Sequence, residues 1–310
     1  MGNTFRLRRL GTGAGLFLAI IGVIVLRYTG RDYRSYFLQQ KGSLISYETS
    51  QIAQSNLTKT YNVQVRGSHG LVVSAWVRFP QKREGPFPAV LVASGIETGH
   101  LVLKMLDERP AVIVMAVRYP YNGEPDFSGF KVIKTLRDMR ETGMKTIPSL
   151  LLALDYLRQH PSVDTNDIGV ATVSFGTFVG VPVAALHPGV KRLIVVQGGG
   201  DVASIIASNA KRLNMPLSPK LSGLVGKLFL YPFEPNRYIG QVSPRPLLMV
   251  NSPGDLLFPD ESANSLFEHA GDPKEIIWHK SQHVMPGALD IIKELTDIVV
   301  HKLYRAQVAP

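Results

Sequence analysis

From about residue 60 onward, short apolar runs rich in β-branched residues alternate with stretches whose apolar positions recur every three to four residues. Runs of the first kind suit strands buried on both faces, and stretches of the second kind lay one face of a helix on a core. The pattern predicts strands over 89–93, 111–117, 168–173, 193–196, 247–251 and 275–278, and helices over 145–159, 176–186, 260–269 and 287–304. Ahead of them, 61–66 and 71–80 read as a hairpin turned at Ser68-His69-Gly70. Such alternation fits an α/β domain with a mostly parallel central sheet flanked by helices. Residues 201–243 break the rhythm, with prolines at 216, 219, 232 and 235 and no strong strand. An insertion of that size is expected to form a small cap. Leu221, Leu224, Leu228, Phe229 and Phe233 equip it either as a lid over an acyl pocket or as structure packed on the sheet.

The amino-terminal pattern is of another kind. Arg6, Arg8 and Arg9 precede an uncharged run over 10–26, and Arg27, Arg31 and Arg34 follow it. At about 1.5 Å per residue the run is about 25 Å long, which is short for a bilayer core of about 30 Å unless the flanking arginines snorkel. Val25-Leu26-Arg27-Tyr28 lacks the small residues of a cleavage site, so residues 1–34 are expected to form an uncleaved signal-anchor helix. The flanking charges nearly balance, and the expected orientation leaves residues 35–310 extracytoplasmic, in the periplasm if the protein is bacterial.

Composition narrows the classes. The 310 residues are 45% hydrophobic and 19% charged, which excludes a disordered or collagen-like chain. The net charge of +10 includes +5 from residues 1–34 alone, so the rest carries no nucleic-acid footprint, and an anionic membrane surface is the expected basic-side partner. Cysteine is absent, which excludes disulfides, Cys-ligated zinc and a thiol nucleophile. No metal or organic cofactor is expected, and the composition does not define an oligomeric state.

The candidate chemistry sits where strands end. Residues 168–173 run into Ser174-Phe175-Gly176 and then a helix, the context of a nucleophile elbow, in which a serine hydroxyl is held clear of the sheet. The expected pattern is Gly-x-Ser-x-Gly; here Thr172-Val173-Ser174-Phe175-Gly176 keeps only the second glycine. Asp255 follows the strand over 247–251, and His283 lies just past the strand over 275–278. Nucleophile, acid and histidine thus come in one chain order, each beyond the carboxyl end of a strand. A serine needs a base to take its proton, and the imidazole needs a carboxylate to hold its tautomer. Asp201 and Asp260 are competing acids, the latter also suited to cap its helix; His279 and His187 are competing histidines with ordinary packing or helix-end roles. For an oxyanion, the donors expected are the amides of Phe175 and, from the loop Ser94-Gly95-Ile96-Glu97-Thr98-Gly99, Ile96.

These residues resemble the α/β-hydrolase superfamily, in particular its dienelactone hydrolase and prolyl-oligopeptidase-like esterase branches. The resemblance spans most of 60–305. It is carried by Ala153-Leu154-Asp155-Tyr156-Leu157 with Val163-Asp164, by 168–176, and by Ser243-Pro244-Arg245-Pro246-Leu247-Leu248 leading to Asp255 and Phe258-Pro259. It implies an α/β-hydrolase fold with Ser174 as nucleophile, Asp255 as acid and His283 as base. Thr172 and Ser94-Gly95, where many members have His-Gly, are departures. The expected function is a serine hydrolase acting on a small-molecule or lipid-like acyl ester through an acyl-enzyme. The same residues would serve a thioesterase, peptidase or acyltransferase. A rival of another class is a non-catalytic tethered binding protein, in which the side chain of Thr172 would displace Ser174 from His283.

Overall fold

The computed structural model describes residues 22–81, 84–121 and 123–303. Most of the expected anchor run lies outside them; residues 22–29 are helical, and among the described residues no helix is long and apolar enough to cross a membrane. The chain divides into a short unit over 1–36 and a large one over 37–310, and helix α1 (Tyr33–Lys41) straddles the division.

The large unit is built on a nine-stranded sheet. Its strands are β1 (Leu44–Gln54), β2 (Thr58–Gly67), β3 (Val72–Pro80), β4 (Phe87–Ala93), β5 (Ile113–Val117), β6 (Val163–Val173), β7 (Arg192–Val196), β8 (Leu247–Asn251) and β9 (Lys274–Trp278), in the spatial order β1-β2-β3-β5-β4-β6-β7-β8-β9. The first four strands in that order pair antiparallel, and from β5 to β9 every pair is parallel. The expected hairpin is β2–β3, with β1 added at its edge. No pattern announced β1, because after Leu44 every side chain of the strand is exposed and the two faces carry no alternation of apolar and polar residues.

Parallel register lines up Val92, Ala171, Ile194 and Leu248 as one row on one face of the sheet, and Val173, Val196, Val250 and Ile277 as the next. The opposite face is made of Leu91, Val170, Val195 and Met249, all wholly buried beneath helices α2 (Lys131–Gln159) and α3 (Gly176–Leu186). Helix α2 begins well before the expected residue 145. Its first half buries Val132, Leu136 and Met139 at i, i+4, i+7 spacing, a short apolar stripe, while Lys131, Lys134, Arg137, Asp138 and Glu141 carry charge beside it, with i,i+4 ion pairs Lys134–Asp138 and Arg137–Glu141.

The insertion over 201–243 is helical. Helices α4 (Val202–Asn209) and α5 (Pro219–Leu230) pack closely on each other because Gly223 and Gly226 offer no side chain; a Cβ there would stand 2.5 Å from the Ala203 carbonyl oxygen and 2.0 Å from Ile206 Cδ1. Phe233 is wholly buried and fits over Gly143 of α2, whereas Leu221 and Leu224 face outward. Two more helices complete the domain, α6 (Asp260–His269) and α7 (Leu289–Leu303). Asp260 is the first residue of α6 rather than its N-cap, which is Pro259; its carboxylate accepts the amide of Gly254 instead.

Candidate active site

Strand β6 carries the chain up to Ser174, and α3 carries it away. The turn between them is sharp: Ser174 has φ 55°, a left-handed conformation that costs a residue with a Cβ about 1–3 kcal/mol. Two bonds hold it there, the Ser174 amide donating to the Val196 carbonyl (3.0 Å) and the Thr177 amide to the Ser174 carbonyl (3.0 Å). Gly176 is required at this turn, since a Cβ would lie 1.9 Å from the Ala93 carbonyl oxygen.

Thr172 does not displace the serine. Its side chain is fully buried, its hydroxyl donates to the Ile194 carbonyl (3.2 Å), and its methyl fills the space left by Gly180 of α3, where a Cβ would stand 2.3 Å away. The side chain lost from position 180 thus makes room for the one gained at 172.

Ser174 Oγ stands 2.8 Å from His283 Nε2, and His283 Nδ1 stands 2.7 Å from Asp255 Oδ2. A carboxylate only accepts, so Nδ1 carries the ring proton, and in the neutral imidazole Nε2 is left to accept from the serine hydroxyl. The other Asp255 oxygen accepts the amides of Leu257 (2.8 Å) and Phe258 (3.1 Å), which fix the carboxylate plane. Asp255 has no exposed side-chain surface and His283 has 7%, and the Phe258 ring lies nearly parallel to the imidazole, at 9° and 6.0 Å. The structure therefore brings together the three residues that the chain order singled out.

The competing residues are engaged elsewhere. Asp201 is the N-cap of α4, and its backbone amide and that of Val202 both donate to the Glu234 carboxylate (2.9 Å each). Burial pushes the Glu234 carboxyl above its ordinary range. His279 meets Glu294 at 3.0 Å. His187 is buried, with Nδ1 accepting the Gly189 amide (3.1 Å) and Nε2 donating to Asp155 (3.1 Å). Asp155 also binds the Lys41 ammonium; burial alone would raise its carboxyl, but the bonds from His187 and Lys41 outweigh burial and hold it below the ordinary value.

Phe175 is the N-cap of α3, so its amide lies ahead of the first intrahelical bond, at the positive end of the helix. Ile96 lies in a turn closed by the Thr98 and Gly99 amides on the Gly95 carbonyl (3.0 and 3.1 Å). Ser94 anchors that loop from beneath, donating to the Gly99 carbonyl (3.0 Å) and accepting the Tyr119 hydroxyl on its own carbonyl (3.1 Å). A cavity of about 360 Å³ has Ser174, His283 and Ile96 in its wall. No residue of 201–243 lines it.

One important residue escaped the sequence. Gln197, just past β7 and fully buried with φ 46°, clamps the loop that carries His283. Its Oε1 accepts the Val284 amide (2.6 Å), and its Nε2 faces the Gln282 carbonyl (2.9 Å), Ser252 Oγ (2.6 Å) and Ser281 Oγ (3.1 Å). The backbone groups it holds belong to the two residues flanking His283. A buried amide at the carboxyl end of a central strand was the only available signal, and it points to no particular partner.

The profile of a family described as BAAT / Acyl-CoA thioester hydrolase C terminal matches residues 152–223, from the end of α2 through the elbow to α5. No curated protein matches the chain in sequence. Among solved structures, the fold is similar to acetyl xylan esterase 1 from Thermoanaerobacterium sp. JW/SL YS485, at 16% identity and TM-score 0.58 over 84% of this chain and 92% of that one. It is likewise similar to the acetyl xylan esterase from Paenibacillus sp. R4, at 15% identity and TM-score 0.61 over 86% and 94%. Pyrococcus horikoshii acylaminoacyl peptidase matches at 16% identity and TM-score 0.56, over 90% of this chain and 44% of that one. The chain has the α/β-hydrolase fold.

Proposed function

We propose that this protein is a serine hydrolase that cleaves a carboxylic ester through an acyl-enzyme. The observation that carries the reading is the unbroken relay from Ser174 Oγ through His283 to a fully buried Asp255, at 2.8 and 2.7 Å, on a strained strand-to-helix turn. Ser174 Oγ bonds to the ester carbonyl carbon as its proton passes to His283 Nε2. Negative charge that gathers on the carbonyl oxygen is met by the amides of Phe175 and Ile96. His283 then gives the proton to the departing alkoxide, and Asp255 stabilises the imidazolium in between. A water deprotonated by His283 attacks the acyl carbon, releasing the acid and restoring the Ser174 hydroxyl.

Fluorophosphonate treatment of the full chain, followed by intact mass, tests this. One adduct is expected on the parent and none on Ser174→Ala, with ester turnover falling on the order of 10⁴-fold or more. A folded parent that takes no adduct sinks the proposal. The profile match over 152–223 favours a second reading, a thioester as substrate or an acyl-enzyme passed to another acceptor. The ratio of kcat/KM for matched oxoesters and thioesters, with and without an amine acceptor, separates these.

Residues 1–34 are read as a membrane anchor with the hydrolase domain outside the cytoplasm, supported by the uncharged run over 10–26 between arginines. Resistance to carbonate extraction together with protease access to the domain in intact cells is expected; release by carbonate counts against it.

A further inference from the structure

The cavity beside Ser174 runs along the sheet face covered by α7, not toward the cap. A parallel crossover normally lays an α-helix on the sheet. Between β4 and β5 this chain instead has one six-residue 3₁₀ helix, Gly99–Lys104, which leaves part of that face uncovered. A second cause lies in the row formed by Val92, Ala171, Ile194 and Leu248, where Ala171 alone is small. The helix above closes the space with Leu295 and Val299. Charged groups in the wall, Glu97, Asp107 and Arg109, all come from loops, and Arg109 pairs with Asp297 of α7.

The shape is that of a sleeve leading away from the reacting atoms. Ser174, His283 and Ile96 stand at one part of the wall, and from Ser94, just past β4, the chain traces that wall back through Val92 to Val90, a distance of roughly 13 Å at the rise of a strand. Its strand-derived wall is aliphatic carbon, branched everywhere but at Ala171, which offers water no partner and leaves a filled state favoured only for an apolar occupant. At the roughly 30 Å³ that a molecule of liquid water takes, 360 Å³ holds about a dozen non-hydrogen atoms.

We propose that this sleeve receives the acyl chain of the substrate, a linear saturated chain of about eight to twelve carbons lying between the sheet and α7 with its carbonyl at Ser174. The assignment rests on the serine hydrolase reading for the chemistry, though not for the occupancy. It places the acyl site on the sheet face left open by the short β4–β5 crossover, away from residues 201–243, for which the sequence allowed either a lid over an acyl pocket or structure packed on the sheet.

The test is a p-nitrophenyl ester series from acetate to palmitate on the full chain. The ratio kcat/KM is expected to rise about fourfold per methylene up to a chain between octanoate and dodecanoate and then to level or fall. Ala171→Phe fills the sleeve from the sheet and Val299→Trp from the helix. Each is expected to lower the decanoate-to-acetate ratio at least tenfold, and either one suffices if the other fails to fold. A parent with no gain beyond butyrate overturns the proposal, as does a ratio that moves with Leu224→Ser on the cap but with neither sleeve variant. Calorimetry with decanoate on the Ser174→Ala chain reads occupancy without turnover. Binding that Ala171→Phe abolishes supports the sleeve even if no ester is cleaved, in which case only the hydrolase reading falls. Turnover of acetate with no decanoate binding overturns the sleeve and leaves that reading standing.

Discussion

Replacing Gln197 by leucine keeps most of the side-chain volume and removes the clamp on the His283 loop. The change leaves the Val284 amide and the Gln282 carbonyl without their partner. A buried polar group left unpaired costs about 1–3 kcal/mol, so two would cost about 2–6 kcal/mol if the loop stayed in place. Both groups lie at the edge of the site, in a segment that is only half-buried, so moving the loop toward water relieves most of that cost. The loop therefore shifts and takes His283 with it, and the measured loss of stability is expected at the lower end, about 2 kcal/mol. Catalysis pays more heavily: a displacement of about 1 Å in a reacting group costs on the order of 10²-fold. Steady-state kinetics of Gln197→Leu should show kcat down about 100-fold with KM within about threefold of the parent, and fluorophosphonate labelling slowed in parallel. The decisive comparison places the same change in a His283→Ala background, where positioning no longer matters and kcat should not fall further. An equal loss in both backgrounds, or a lowered melting temperature with kcat within about threefold of the parent, would refute the reasoning.

Three further outcomes follow from contacts already described. Gly180→Ala drives a Cβ into the Thr172 methyl and should destabilise the fold by about 1–3 kcal/mol; adding Thr172→Gly should restore most of it, as read by thermal unfolding, and a double variant no better than the single one would show that the two sites are not complementary. Gly176→Ala sets a Cβ against the Ala93 carbonyl at 1.9 Å and should abolish fluorophosphonate labelling, with soluble labelled protein as the contrary result. The Asp155 carboxyl lies below its ordinary value of 3.8, so its contribution to stability is present above that pH and lost as pH falls through the folded value. Urea midpoints of the parent and Asp155→Asn should therefore differ at pH 7 and draw together as pH falls below 3.8; a gap that does not narrow there would mean the charge is not what matters.

Much of the fold was legible in the chain because central parallel strands are buried on both faces and write themselves as continuous apolar runs. Where an element meets water, that signal fades. Edge strand β1, exposed along nearly its whole length, left no mark, and the first, charge-rich half of α2 left only the short stripe of Val132, Leu136 and Met139. The insertion was legible as an irregularity but not as two helices, since its close contacts depend on Gly223 and Gly226 facing particular atoms of α4. In the site, Ser174, Asp255 and His283 could be picked out because each follows a strand whose end is a local feature. Gln197 could not, since its importance lies wholly in a loop more than eighty residues away.

The sequence by itself determined the strand order's raw material, the elbow and the chain order of serine, acid and histidine, for these depend on periodicity and on residues adjacent to it. Only the tertiary structure decided that Thr172 is accommodated, that an amide clamps the histidine loop, and that the apolar space beside the serine lies under the sheet rather than beneath the cap. Those are matters of volume and of unpaired polar groups between segments distant in the chain, and neither complementarity nor emptiness has a local signature.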